Sequence, residues 1–145
     1  MNPERLLADE EQAWRRFHAL MESVPPERCE EPTVTPEGWS LKDVMFHVGA
    51  WLADCARVLE QIRFGTFDRA TEDALDVEAL NAQGFVISRD MDLRDVRVMC
   101  ESARNEARLG FGSLPQLTTD AWEWFEESGP LHYAKHVEDL EAWLG

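Results

Sequence analysis

Cysteine is scarce and unpaired in this chain. Cys29, Cys55 and Cys100 are odd in number, widely spaced and free of any CxxC pattern, which excludes a disulfide framework and a zinc ribbon. Reduced thiols of this kind fit a cytoplasmic protein. Basic residues are also few: 14 Lys and Arg stand against 29 Asp and Glu, for a formal net charge of −15. Nucleic-acid backbones and anionic membrane surfaces both require basic patches, so neither is an expected partner. No apolar run approaches the roughly 18 residues that a membrane span needs. The acidic N-terminus MNPERLLADEE lacks a signal-peptide core, and no export is expected. Internal repeats, low-complexity linkers and two-residue alternation are missing too, so no sheet is expected.

What the chain does have is helical patterning. Its 145 residues suggest one domain spanning 1–145, long enough to bury roughly 68–70% of its unfolded surface. The first helix is expected over about Pro3 to Val24, where Trp14, Phe17, Leu20, Met21 and Val24 recur at three- and four-residue steps before Pro25 and Pro26. Glu27 to Trp39 reads as a loop. Ser40 and Asp43 form a short capping box for a second helix over about Leu41 to Phe64, with Val44, Val48, Trp51, Cys55, Leu59 and Ile62 inward and Gly65 as its stop. The stretch Thr66 to Asp90 contains Gly84 and predicts a shorter or broken helix. Asp92 is placed to cap a third long helix over about Leu93 to Leu109, broken by Gly110, Gly112 and Pro115. TTDAWEWFEESGP predicts a turn-rich passage with one helical turn after Thr119, and the last helix is expected from His132 to Leu144. Four long amphipathic helices with moderate connections predict an all-α four-helix bundle with a crossover insertion.

The chemistry is concentrated in histidine. Four are present, and His132 and His136 stand four residues apart, on one face of a helix. His47 borders the apolar stripe of the second helix, three residues after Val44 and four before Trp51. Bundle interiors build metal sites from such facing positions. Three imidazoles leave a fourth position open for water or substrate, the catalytic rather than the structural pattern. Against this stands the ordinary reading, in which a histidine beside a core is simply hydrogen-bonded. His18 has no partner at a useful spacing and is expected on the surface or in the core. Asp43 and Asp139 are placed to orient His47 and His136, though a helix-start charge and a solvated charge are the plainer readings. Tyr133, the only tyrosine, is expected in the core, and Cys55 as a buried inert thiol. Trp39 and Trp51 are expected to pack the bundle's end and interior. Trp122, Trp124 and Phe125 are expected to cover the site mouth or seal the core.

GWSLKDVMFHVGAW resembles the second-helix signature of the DinB-like superfamily, which includes YfiT-like proteins, where a Trp-Ser-x-x-Asp start precedes a metal-binding histidine. HYAKHVEDLEAWL is similar to that family's last helix, and DVEALNAQGF and DLRDVRVMCESARNEARLGF to the region between. The resemblance implies an antiparallel four-helix bundle with a divalent metal held by His47, His132 and His136. It implies a thiol S-transferase, drawing on a low-molecular-weight thiol, or a hydrolase. The family also includes a mycothiol-dependent maleylpyruvate isomerase and self-protection proteins against a genotoxin. The isomerase branch often has Glu where this chain has His132, and carries an extra C-terminal domain. Both departures argue against that branch for this chain.

The expected cofactor is therefore a divalent ion, zinc or nickel first and iron or manganese next, since neutral imidazole suits several metals. The expected partner is a small-molecule substrate, with a homodimer compatible. The rival function is a non-catalytic protein that binds and sequesters a small molecule on the same bundle.

Overall fold

Side-chain caps decide where the helices begin in the computed structural model, which describes residues Met1–Gly145. Helix α1 (Pro3–Ser23) starts with Pro3 at its first position, where a missing N–H costs nothing, and the Asn2 side chain accepts from the Arg5 amide. Helix α2 (Leu41–Phe64) starts with both arms of the capping box closed. The Ser40 hydroxyl accepts from the Asp43 amide at 3.2 Å, and the Asp43 carboxylate accepts from the Ser40 amide at 2.9 Å. Gly65 ends α2 in the left-handed region at φ 74°, a conformation that glycine adopts without a Cβ penalty. A short helix α3 (Arg69–Asp73) and helix α4 (Val77–Asp90) then carry the chain to α5 (Leu93–Gly112), α6 (Thr119–Ser128) and α7 (Pro130–Leu144), with one 3₁₀ turn at Pro26–Arg28.

The result is all-α, with no strand. The four long helices α1, α2, α5 and α7 enclose one cluster of 24 buried hydrophobic residues. Helix α2 packs most extensively on α5, and α1 on α7. A Cβ at Gly49 would come within 3.0 Å of the Cys100 Cα, so glycine is what lets the α2 and α5 backbones approach. Helix α4 is the crossover insertion; it lies along α2 and buries only Ser88.

Several expected boundaries are corrected. Gly84 does not break α4, which runs unbroken for 14 residues. A Cβ there would stand 3.1 Å from the Phe46 ring, so this glycine makes room for α2 rather than for a turn. Helix α5 continues past Gly110 to Gly112, because extension buries Phe111, stacked on Phe125 at 4.4 Å between centroids. Asp92 holds the N-cap position of α5 without a capping bond from its side chain. The passage after Thr119 is a ten-residue helix, capped by Thr118, whose hydroxyl accepts from the Ala121 amide. Helix α7 starts at Pro130 rather than His132, so His132 sits inside its first turn.

Candidate metal centre

His47, His132 and His136 come together between α2 and α7. His132 Nε2 lies 2.9 Å from His47 Nε2 and 3.0 Å from His136 Nε2, and all three donor atoms fall within 4.8 Å of one another. The rings meet edge-on, with planes 62–85° apart, so their nitrogens rather than their faces point to a common centre. His136 is buried, and the other two are half-buried. The three histidines that the sequence singled out therefore lie together in the structure.

His136 also has a partner outside the cluster. His136 Nδ1 lies 3.1 Å from Asp139 Oδ2. Ser128 lines the groove beside His132, and Asn81 lines both spaces beside His47. Asn81 is itself positioned by Trp51, whose indole N–H donates to its Oδ1 at 2.8 Å. Asp139 therefore stands against the ring it was expected to orient. Asp43 does not: its carboxylate takes the Ser40 amide and hydroxyl and the Ser88 hydroxyl, so it fastens α4 to the start of α2 and leaves His47 alone.

Burial governs the charge of the cluster. Desolvation, then the neighbouring His136, lowers the His47 pKa from 6.5 to about 3. Desolvation, then His136 and His47, lowers that of His132 to about 2. Burial also lowers His136, partly opposed by the Asp139 carboxylate. The three rings are neutral at ordinary pH, the state in which imidazole ligates metal.

Neutrality exposes a mismatch that a cation removes. Asp139 accepts the Nδ1 proton of His136, so the His136 Nε2 presents a bare lone pair. The His132 Nε2 has one in-plane site, either a proton or a lone pair, and two close nitrogen neighbours. A proton there satisfies one neighbour; a lone pair faces that of His136. Either way one of the contacts lacks a hydrogen bond. Three lone pairs turned on one ion leave no such defect. Ligands 2.0–2.1 Å from a tetrahedral ion stand roughly 3.3 Å apart, close to the two spacings of 2.9 and 3.0 Å about His132. The residues present fit a metal.

His47 stands where two spaces meet. A cavity of about 260 Å³ between α2 and α4 is walled by Trp39, Phe46, Trp51, Leu80 and Ile87. An open groove of about 630 Å³ passes His132, Trp124 and Lys135 on the other side. Trp39 packs on the His47 ring at 4.7 Å, and Trp51 lines the cavity instead of packing the interior. Phe125 seals the core, and Trp124, resting on Phe67 at 5.3 Å, borders the groove. Cys55 is fully buried, with its thiol pushed up to about 12 by desolvation. His18 is on the surface beside Glu22 and Glu101.

A sequence profile described as the mycothiol maleylpyruvate isomerase N-terminal domain matches residues 11–134. The chain belongs to this family. The family lies within the DinB/YfiT-like superfamily, as the resemblance implied. The expected separation from the isomerase branch does not hold at the level of family: the match is to that enzyme's N-terminal domain, despite the histidine at position 132. The matched span contains His47 and His132 and stops two residues short of His136. No curated protein and no solved structure matches the chain. No helix is long and apolar enough to cross a membrane.

One buried group in this region was not foreseen. Glu10 on α1 is 1% exposed. It accepts from Arg104 Nε and Nη2 at 2.9 and 2.8 Å, from Arg108 Nη1 at 2.6 Å and from the Tyr133 hydroxyl at 2.8 Å. Tyr133 is in the core, as expected, but its hydroxyl belongs to this ion cluster. The signal was available: Glu10 falls in register with Leu6, Trp14 and Phe17 on the buried face of α1, where a carboxylate requires partners.

Proposed function

We propose that this protein is a divalent-metal-dependent enzyme acting on a small molecule, a thiol S-transferase or a hydrolase, with His47, His132 and His136 as the ligands. The observation that carries this reading is the convergence of three neutral Nε2 atoms whose two close contacts no arrangement of protons can both turn into hydrogen bonds. Zinc or nickel is the proposed ion, with iron or manganese next, and a low-molecular-weight thiol is the proposed co-substrate. A divalent ion on three neutral ligands keeps its full charge and favours ionisation of a water or thiol at the remaining position. The chain's own residues do the rest. Asp139 orients the His136 ring through its Nδ1. Trp39 shields His47 from solvent on the cavity side. The test is metal analysis of untagged protein beside His47→Ala and His136→Ala. About one ion per chain is expected in the parent and a loss in both variants; equal content in all three sinks the proposal.

A second reading, capture of a small molecule without turnover, draws on a different observation. Three aspartates around the rings are already engaged: Asp43 with Ser40 and Ser88, Asp54 with Arg57 at 2.7 Å, and Asp139 with His136. Steady turnover of an electrophile with a small thiol decides for the enzyme, and stoichiometric binding without turnover decides for capture.

A further inference from the structure

We infer that the cavity between α2 and α4 selects an uncharged aryl or branched alkyl group on the substrate and rejects carboxylates. This rests on the reading of the histidine cluster as the reacting site, and it names the class of molecule that reaches it.

The walls carry the argument. Trp39, Phe46, Trp51, Leu80, Phe85 and Ile87 supply aromatic and aliphatic surface, and Asn81 and Gln83 are the uncharged polar groups. The only charged residues on the lining are Asp43 and Asp54, and no Lys or Arg reaches it. An anionic group entering this space would lose water and meet two carboxylates with no lysine or arginine side chain to replace the hydration, which is a net penalty. An apolar group would gain by leaving water. Those two aspartates do not turn the cavity into a cation site either, because Asp43 accepts from Ser40 and Ser88 and Asp54 is paired with Arg57.

The neighbouring groove does not rescue an anion. Arg69 there is taken up by Asp120 and Glu123 at 2.5 and 2.9 Å. Glu72 is held by Arg57 at 2.8 Å, and Lys135 stands on the groove outside the cavity. At about 260 Å³ the cavity lies just under the roughly 300 Å³ where drug-sized sites begin, so it suits one ring or a short branched chain. His47 belongs to both spaces. A bound apolar group would therefore hold an attached reactive centre beside the Nε2 cluster, with the polar remainder or a co-substrate in the groove.

Trp39 and Trp51 line the cavity, and Trp14 and Trp143 do not, which supplies a local reporter. Metal-free, nitrogen-15-labelled full-length protein is titrated with benzyl alcohol and, separately, with maleate, following the indole N–H signals. The expected result is saturable shifts at Trp39 and Trp51 with benzyl alcohol, at least about tenfold tighter than with maleate, and still signals at Trp14 and Trp143. In Leu80→Lys, a partly exposed lining position, the preference should narrow by about tenfold or more as a cation joins the wall. Three outcomes overturn the inference. In the first, maleate moves the two signals at equal or lower concentration. In the second, benzyl alcohol leaves them in place, or Leu80→Lys keeps the parent's preference. In the third, Trp39 and Trp51 shift with protein concentration alone, which assigns the cavity to a second copy of the chain. Because no metal is present, failure here is separate from failure of the metal analysis.

Discussion

Lowering the pH of the metal-free protein from 7 to 5 is expected to remove about 4 kcal/mol of folding stability through His47 and His132 alone. Unfolded, both rings titrate near 6.5; folded, burial holds them at about 3 and about 2. Between those limits the unfolded chain binds protons that the folded chain refuses. The stability from neutral, buried rings is thus complete above about pH 6.5 and is lost as pH falls toward the folded values. Down to pH 5 each ring contributes about 2 kcal/mol to the loss. His136 acts in the same direction, with Asp139 softening it. Against a total stability of roughly 5–15 kcal/mol, that is a large fraction. The assay is urea unfolding followed by tryptophan fluorescence at pH 7, 6 and 5 with a chelator present, for the parent and a His47→Gln/His132→Gln double variant. Carboxylates titrate in both proteins and cancel. A double variant that loses as much stability as the parent would refute the reasoning.

Other expectations follow from the same contacts. Glu10→Gln leaves Arg104 and Arg108 facing a neutral group in a buried cluster; a loss of about 3–5 kcal/mol in urea unfolding is expected, and a loss below about 1 kcal/mol contradicts the role given to the carboxylate. Asp139→Asn should weaken zinc binding about 10–100-fold in chelator competition while the fold stands; unchanged affinity means that Asp139 does not orient His136. Gly129→Ala places a Cβ 2.9 Å from the Phe125 carbonyl oxygen at the α6–α7 junction, with an expected cost of about 1–3 kcal/mol; an unchanged thermal midpoint rules out that clash.

The parts of the fold that were legible in sequence are those fixed by local chemistry. The Ser40–Asp43 box, the Gly65 stop and the apolar faces of α1 and α2 all depend on residues a few positions apart. The errors arise where a distant neighbour overrides a local signal. Gly84 and Gly110 look like breakers, but Gly84 makes room for Phe46 of α2, and α5 runs through Gly110 to bury Phe111. The α6 segment contains Trp122, Trp124 and Phe125, poor helix formers in isolation, and gains its stability from Phe125 on Phe111. In the site, the histidine set could be read from spacing and register. The places of Asn81 and Ser128 beside the rings could not, since nothing local marks a residue on α4 or at the end of α6 as part of the site lining.

The Glu10 cluster matters for the site even though it touches no histidine. Helix α7 lies between two polar clusters, and successive residues on a helix point about 100° apart. Tyr133 turns toward α1 and α5, where its hydroxyl reaches Glu10 and its ring packs on Trp14 and Phe17 at 5.4 and 5.8 Å. His132 and His136, one turn apart, face α2 instead. Apolar packing alone tolerates rotation of a helix about its axis, because dispersion contacts are many and weak. A hydroxyl bound to a carboxylate that two guanidiniums also hold is directional. The Glu10 cluster therefore fixes the roll of α7 from behind, and that roll determines whether two imidazoles meet the third.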